Sequence, residues 1–303
     1  MSLTLKQIRY FIAAAETGQV SQAAMEMNIS QSSVTAAVQS LESQLGVRLF
    51  DRMHGGVRLT IEGARFLNHA RTIMAAVEDA VRSPLGSERQ ESGHLRLATT
   101  YTVAGYFMPR HYARFRRAYP RIRLEMHEVP RDRLEPGLVA GDYDLAVMLV
   151  SNLGNREELA HEVLVRSQRR LWMPTDHPFC EAERVGLRDV AREPYVMLTV
   201  DEASQTAGRY WEAAGVRPNP IFTTSSVEAV RSMVAGGMGV TILSDMVYRP
   251  WSLEGQRLEA RTLSDEVPSM DVGLAWARAR ALSAPAEVFR RFMSVAIGGG
   301  GGD

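Results

Sequence analysis

Residues 18 to 60 constrain this chain more than any other stretch. Ser21-Gln-Ala-Ala24 supplies small residues for a short helix, Asn28-Ile29 a tight turn, and Ser30-Gln-Ser-Ser-Val-Thr35 the start of a second helix. Ser30 suits the capping position, because its hydroxyl can accept a free backbone N–H of the first turn. Val34, Val38, Leu41 and Leu45 then recur at 4-3-4 spacing, a single apolar stripe that turns Ser32, Ser33 and Thr35 outward. Leu5, Ile8, Ile12 and Ala15, at 3-4-3 spacing, predict a preceding helix that covers the pair, and Ala23 and Ala24 are small enough for close approach. Gly46 follows Leu45 where a left-handed C-terminal cap is wanted. Val47 to Arg52 and Val57 to Thr60 flank His54-Gly55-Gly56, a two-stranded wing that offers Arg48, Arg52 and Arg58 to phosphates. Together these features predict a winged helix-turn-helix. Its second helix would present Ser30, Gln31, Ser32, Ser33 and Thr35 to the major groove of double-stranded DNA. The alternative is a small helical core with no ligand, since the same geometry occurs in ordinary bundles.

At 303 residues the chain exceeds one ordinary domain, and two or three folding units are expected. A hydrophobic share of 45% with 23% charged residues describes a globular chain. No apolar run approaches the roughly 18 to 20 residues of a membrane helix, and no signal peptide is read, so a cytoplasmic protein with no membrane partner is expected. Cys180 is the only cysteine, which rules out an intrachain disulfide and fits a reducing compartment. It reads as a structural thiol, with redox chemistry the alternative. The net charge is zero, and residues 1–60 carry five basic side chains against four acidic ones. DNA binding would therefore rest on a few placed arginines and not on a bulk field. The seven histidines show no paired metal spacing, and no catalytic set assembles, so neither metal, cofactor nor enzymatic activity is expected. Val234-Ala-Gly-Gly-Met-Gly239 lies after a helix and before a strand, the reverse of a phosphate loop.

Thr60 can cap a helix running to about Ser83, ended by Pro84 and Gly86. Leu67, Ala70, Met74, Val77 and Val81 repeat along it at 3-4-3-4, which is a coiled-coil seam or a face packed on its own domain. Residues 84–92 read as a polar hinge. From Leu95 the pattern alternates strands (Leu95 to Ala98, Ile122 to Val129, Leu145 to Leu149) with helices (Tyr106 to Ala118, Arg131 to Ala140). A second run has strands at Arg170 to Met173, Tyr195 to Thr199, Ile221 to Thr224 and Val240 to Leu243, with helices at Ser204 to Ala214 and Ser226 to Ala235. Ser225 and Glu228 form a capping box. Met270 to Trp276 and Pro285 to Ala296 return a strand and a helix to the first lobe. Such alternation predicts parallel βαβ units in two α/β lobes, with crossovers near His161 to Ser167 and Ser264 to Pro268. The expected organisation is 1–60 DNA-binding, 61–92 linker helix and hinge, and 93–297 effector domain. Lobe I would span about 93–162 and 269–297, lobe II about 163–268, and 298–303 a disordered tail.

Ligands of open α/β sheets lie at the carboxyl ends of strands, where helix N-termini point into the crevice. Thr99-Thr100-Tyr101-Thr102 ends the first strand with three hydroxyls and free N–H groups, suited to a carboxylate. Met148 and Leu149 end another strand and would wall the cleft, while Glu202, Ser204, Gln205 and Thr206 open a helix on the facing lobe. Glu202 opposes an anion, so a neutral, cationic or asymmetrically placed ligand stays open.

On these motifs the chain resembles a LysR-type transcriptional regulator over nearly its whole length. The resemblance is carried by Leu5-Lys-Gln-Ile-Arg-Tyr-Phe11, Gly18 through Ala24, Ser30-Gln31 and Val38-Gln-Ser-Leu-Glu42. It continues in Leu45-Gly46, Leu49-Phe50-Asp-Arg52 and Leu59-Thr-Ile-Glu-Gly63. It implies an α/β protein with an N-terminal helical winged helix-turn-helix, joined by a long linker helix to a two-lobed, periplasmic-binding-protein-like effector domain. It further implies dimerisation through that helix, a homodimer or homotetramer on an interrupted palindromic operator, RNA polymerase as a candidate contact, and an effector at the strand-end turn. Members often carry Arg or Lys where this chain has Ala36, and a larger polar residue at Ala37. Readout here would lean on short hydroxyls, DNA shape and the wing. The competing class is a small-molecule binding or transport module, which would leave residues 1–60 without purpose.

Overall fold

A computed structural model describes residues 3–53, 56–82 and 91–298 of the chain. The chain divides into two compact units, residues 1–85 with 249–251, and 86–248 with 252–303. In the first unit α1 (Leu5–Thr17), α2 (Val20–Glu26) and α3 (Gln31–Leu45) precede strands β1 (Phe50–Met53) and β2 (Gly56–Leu59) and helix α4 (Ile61–Arg82). Thr4 and Gln7 form a reciprocal capping box at the start of α1, and Gly18 ends the helix at φ 68°. Asn28 makes the turn between α2 and α3 at φ 52°, a left-handed conformation that asparagine tolerates better than most side chains.

The core face of α1 is offset from the expected stripe. Ile8, Tyr10, Phe11 and Ala14 are buried, whereas Leu5 on the first turn is 44% exposed and Ile12 and Ala15 are half-buried. Phe11 sets this register, because its ring packs at 5.2 Å from Phe50 and 5.1 Å from Phe66. On α3, Val34, Val38 and Leu41 are buried and Leu45 is exposed in the last turn before the left-handed cap at Gly46. The wing strands are antiparallel, from Phe50 opposite Leu59 to Met53 opposite Gly56. Glu42 fixes the wing to α3, since its Oε1 accepts the N–H of Leu49 at 2.7 Å and of Phe50 at 3.2 Å. Val57 donates to the carbonyl of Gly18 at 2.8 Å, tying the second wing strand to the end of α1. Thr60 caps α4 as expected, accepting the Gly63 N–H at 2.9 Å. Ala70 is buried in this unit and Leu67 and Met74 pack beside it, so the first half of the seam has a use within the chain. The Val81 side chain, residues 84–90 of the hinge and residues 299–303 of the tail lie outside the described residues.

The second unit holds two lobes. Lobe I runs through β3 (Gly93–Thr99), α5 (Tyr101–Tyr106), α6 (Met108–Ala118), β4 (Ile122–Glu128), α7 (Arg131–Ala140), β5 (Leu145–Leu149) and β6 (Leu159–Ser167). Lobe II follows with β7 (Arg169–Pro174), α8 (Leu187–Val190), β8 (Pro194–Leu198), α9 (Ala203–Ala213), β9 (Asn219–Thr224), α10 (Val227–Ala235), β10 (Thr241–Ser244) and β11 (Leu258–Arg261). The chain returns to lobe I in β12 (Met270–Ala277) and α11 (Ala284–Gly298). The lobe I sheet is ordered β4-β3-β5-β12-β6. Lobe II has the sheet β10-β7-β11 and the pair β8-β9, joined by a parallel bridge between Tyr195 and Val240.

Four expectations are corrected. The sheets are mixed: β3 is parallel to β4 and β5, but β12 is antiparallel to β5 and β6, and β7 to β10 and β11. The crossover expected near His161 to Ser167 falls at its end, because those residues belong to β6, with six residues of β12 opposite them, and the chain passes to lobe II after Ser167. The helix expected from Tyr106 begins at Tyr101 and breaks at Phe107, so α5 springs straight from the end of β3. Finally, Ser226 and not Ser225 caps α10, accepting the Ala229 N–H at 3.1 Å, which frees Glu228 to pair with Tyr106 and Arg231.

His111 on α6 lies 2% exposed behind Phe107, and burial together with Arg110 and Arg114 pushes its pKa down to about 3. An unfolded histidine titrates near 6.5. Between those values the unfolded chain binds one more proton, so stability is full above about 6.5 and falls on acidification by up to ~1.4 kcal/mol per pH unit. His111→Gln should remove that part of the slope between pH 6.5 and 4.5 in denaturant titrations. Equal slopes in both proteins would show that His111 does not titrate on unfolding.

Candidate DNA-binding face and effector cleft

On the first unit, Ser30, Gln31, Ser32 and Ser33 are exposed at the start of α3 and Thr35 is half-buried. They are not equivalent donors. Ser30 is consumed as the cap, accepting the Ser33 N–H at 3.2 Å and meeting the Ser32 and Ser33 hydroxyls at 2.9 and 2.8 Å. Thr35 donates to the Gln31 carbonyl at 3.0 Å, leaving its lone pairs and methyl for a base. Ala36 and Gln39 are exposed on the face that carries Ser32, at spacings of four and three. Gln39 was missed in the sequence reading, although the same helical spacing that located the buried stripe locates it. It adds a long amide able to reach a base edge.

On the wing, Arg48 is exposed, and its own carbonyl accepts the Thr60 hydroxyl at 2.7 Å. Arg58 lies 3.6 Å from Asp51 across the strand pair, both side chains being more than 40% exposed. Such an exposed pair is weak and exchanges readily for a phosphate. Arg52 is placed on β1 opposite Val57, and its side chain lies outside the described residues.

In the second unit, the strand-end turn is differently disposed from the expectation. Thr99 and Thr102 are buried, Thr100 caps α5 with its hydroxyl buried and unbonded, and Tyr101 is 38% exposed. The Thr102 N–H is already taken. It donates to Asp201 Oδ2 at 2.8 Å, and the Thr102 hydroxyl donates to the same oxygen. Asp201 stands in a 3-10 turn of lobe II at φ 50°, with its carbonyl accepting from Asn152 Nδ2 at 3.0 Å. A carboxylate of the chain itself therefore occupies the place proposed for a ligand's.

Thr102 and Leu149 line a cavity of about 30 Å³ between the lobes, together with Asn152, Arg169, Tyr195, Asp201 and Tyr210. That space holds about two waters, so the cleft is closed. Tyr195 and Tyr210 are held neutral by burial, which raises both phenol pKa values. Met148 does not wall the cleft. It is fully buried on the other face of β5 with Leu134 and Leu138, because successive strand side chains alternate. Ser204 is half-buried in the first turn of α9 and does not line the cavity; the Glu202 side chain lies outside the described residues. Tyr101 instead lines a wider, open recess of about 410 Å³ with Tyr106, Glu128 and Glu228.

Comparison with known proteins agrees with both halves. Residues 5–64 match the bacterial regulatory helix-turn-helix of the lysR family, and residues 88–296 match the LysR substrate binding domain. The HTH-type transcriptional regulator YnfL of Escherichia coli is 30% identical, covering 96% of this chain and 97% of the relative. The Bacillus subtilis regulator YvbU is 26% identical over 95% of this chain and 96% of its own length. The crystal structure of HinK, a LysR family regulator from Pseudomonas aeruginosa, superposes with a TM-score of 0.62 at 28% identity, covering 97% of this chain and 98% of HinK. The chain belongs to the LysR family: it is a DNA-binding transcriptional regulator with an effector-binding domain, and not an enzyme. Among the described residues no helix is long and apolar enough to cross a membrane.

Proposed function

We propose that the protein is a cytoplasmic regulator that binds an interrupted palindromic operator as a homodimer or homotetramer, with RNA polymerase a further contact. Its DNA affinity would be set by a small molecule in the inter-lobe cleft beside Thr99 to Thr102. The observation that carries this reading is the exposed face of α3, with polar Ser32 and Gln39 on either side of Ala36, together with a wing that carries Arg48 and Arg58. Gln31, Ser32, Ser33 and Thr35 address bases, Ser30 positions the helix, and Arg48, Arg52 and Arg58 grip backbone. Two such faces related by a dyad would meet half-sites about 34 Å apart. The effector acts only if it favours one lobe arrangement over the other.

The test is a mobility shift on the intergenic DNA upstream of the protein's own gene. A complex resisting scrambled competitor by about 10³-fold is expected. Arg52→Ala should weaken binding to all sequences and lower the salt slope by about one. No preference for the intergenic DNA at any salt would defeat the reading; an unchanged slope would remove Arg52 from the phosphate contacts.

A further inference from the structure

Arg169 occupies an unusual position. It opens β7 directly after the first passage of the chain between lobes, and its Nη1 donates to the Ser269 carbonyl at 3.1 Å and to that of Pro268, on the return passage. Nε and Nη2 have no protein acceptor among the described residues, and no carboxylate there comes within 4.0 Å of the guanidinium. Several arginines of this unit are paired with carboxylates, Arg96 with Asp144, Arg131 with Glu135, Arg170 with Asp245, Arg231 with Glu228 and Arg290 with Glu162, whereas Arg261 and Arg278, like Arg169, donate to backbone carbonyls. Arg169 faces the cavity, beside Tyr195 and Tyr210 and across from Leu149 and Met270. Burial lowers its pKa, yet an arginine keeps its proton in proteins. The side chain is half-buried, and the nearby Asp271 carboxylate lies beyond ion-pair distance, so the guanidinium lines the cavity without a directly paired anion.

The second observation comes from the opposite wall. The Thr102 donors, the natural seat for a ligand carboxylate, are filled by Asp201. An incoming anion would have to displace a carboxylate there, whereas at Arg169 it meets an open edge.

We infer that Arg169 is the anchor for a carboxylate of the effector, received on its Nε–Nη2 edge, with the ligand's apolar body lying against Leu149, Met197 and Met270. The inference rests on the reading of this domain as effector-responsive and names the ligand class. Two parallel N–H donors match a carboxylate in geometry as well as charge. Because Nη1 of the same group holds Pro268 and Ser269, an anion on the other edge bears on both passages between lobes. A ligand larger than two waters enters as the lobes part.

The test uses the full chain, with sodium acetate and sodium benzoate as probes against acetamide and benzamide, ionic strength being held with sodium chloride. Each carboxylate should raise the thermal unfolding midpoint of the effector domain saturably, and each amide should not. Arg169→Met should weaken the apparent carboxylate affinity at least tenfold. Arg169→Lys, which keeps the charge without the fork, should fall between and serves if the methionine variant fails to fold. The assignment is overturned if neither carboxylate shifts the wild-type midpoint, if amides act equally, or if the variants respond as wild type. A mobility shift on the same preparations separates the two readings. Intact specific DNA binding without a carboxylate response sinks Arg169 alone, whereas absent DNA preference sinks the regulator assignment.

Discussion

Gly63→Ala is expected to destabilise the DNA-binding unit by about 3 kcal/mol and to abolish specific DNA binding. The added Cβ would lie 2.0 Å from the Leu49 carbonyl oxygen and 3.1 Å from Leu59 Cδ2. Backbone cannot swing aside as a side-chain end can, and that oxygen also accepts the Thr60 N–H at 3.0 Å, the bond that closes the wing onto α4. Overpacking a tight contact costs about 1–3 kcal/mol, more when backbone must move. Gly46 provides the control. A Cβ there meets nothing within 4 Å, and only the left-handed φ of 71° opposes it, worth ~1–2 kcal/mol. Thermal unfolding should therefore rank wild type above Gly46→Ala and Gly46→Ala above Gly63→Ala in the first unit, with the effector-domain transition unmoved. A Gly63→Ala protein as stable as Gly46→Ala would mean that the α4 start shifts freely.

The second large effect is expected at Asp201. Its carboxylate draws two donors of Thr102 across the cleft, and hydrogen bonds to a charged group are worth about 1.5–3 kcal/mol each. Asp201→Ala should favour opening by ~3 kcal/mol, roughly a hundredfold in the open population. Asp201→Asn, which keeps the shape and tolerates the left-handed backbone, should lose only part. Amide hydrogen exchange at Thr102 reads this directly: about a hundredfold faster in Asp201→Ala, intermediate in Asp201→Asn. Unchanged exchange would show that the closed cleft is held elsewhere.

Both positions show what can be read from a chain of residues and what cannot. Helix α7 and strand β5 coincide with their predicted limits, because Gly141 at φ 85° stops the helix and an unbroken apolar run fills both faces of the strand. The first helix existed as expected but with an offset face, since a helical stripe through Ile8 can continue in Leu5 and Ile12 or in Phe11 and Ala14. Only the aromatic partners at Phe50 and Phe66 decide between them. Strand β6 was passed over because its alternation of exposed and part-buried residues resembles a polar connection. The turn after β3 was legible as a strand end, while the carboxylate that meets it was not foreseen. Asp201 meets Thr102 across 99 residues, and Arg169 meets Pro268 across another 99, separations at which periodicity carries no information.

Ala36 leaves a consequence for how such a regulator changes over time. It is exposed on α3 while Val34 and Val38 beside it carry the packing. With α3 in the major groove as proposed, a new side chain at that position would change the surface offered to DNA while leaving the buried side of the helix untouched. On that proposal, stability and target choice are written in separate letters of the same helix, and one codon could change the second without disturbing the first.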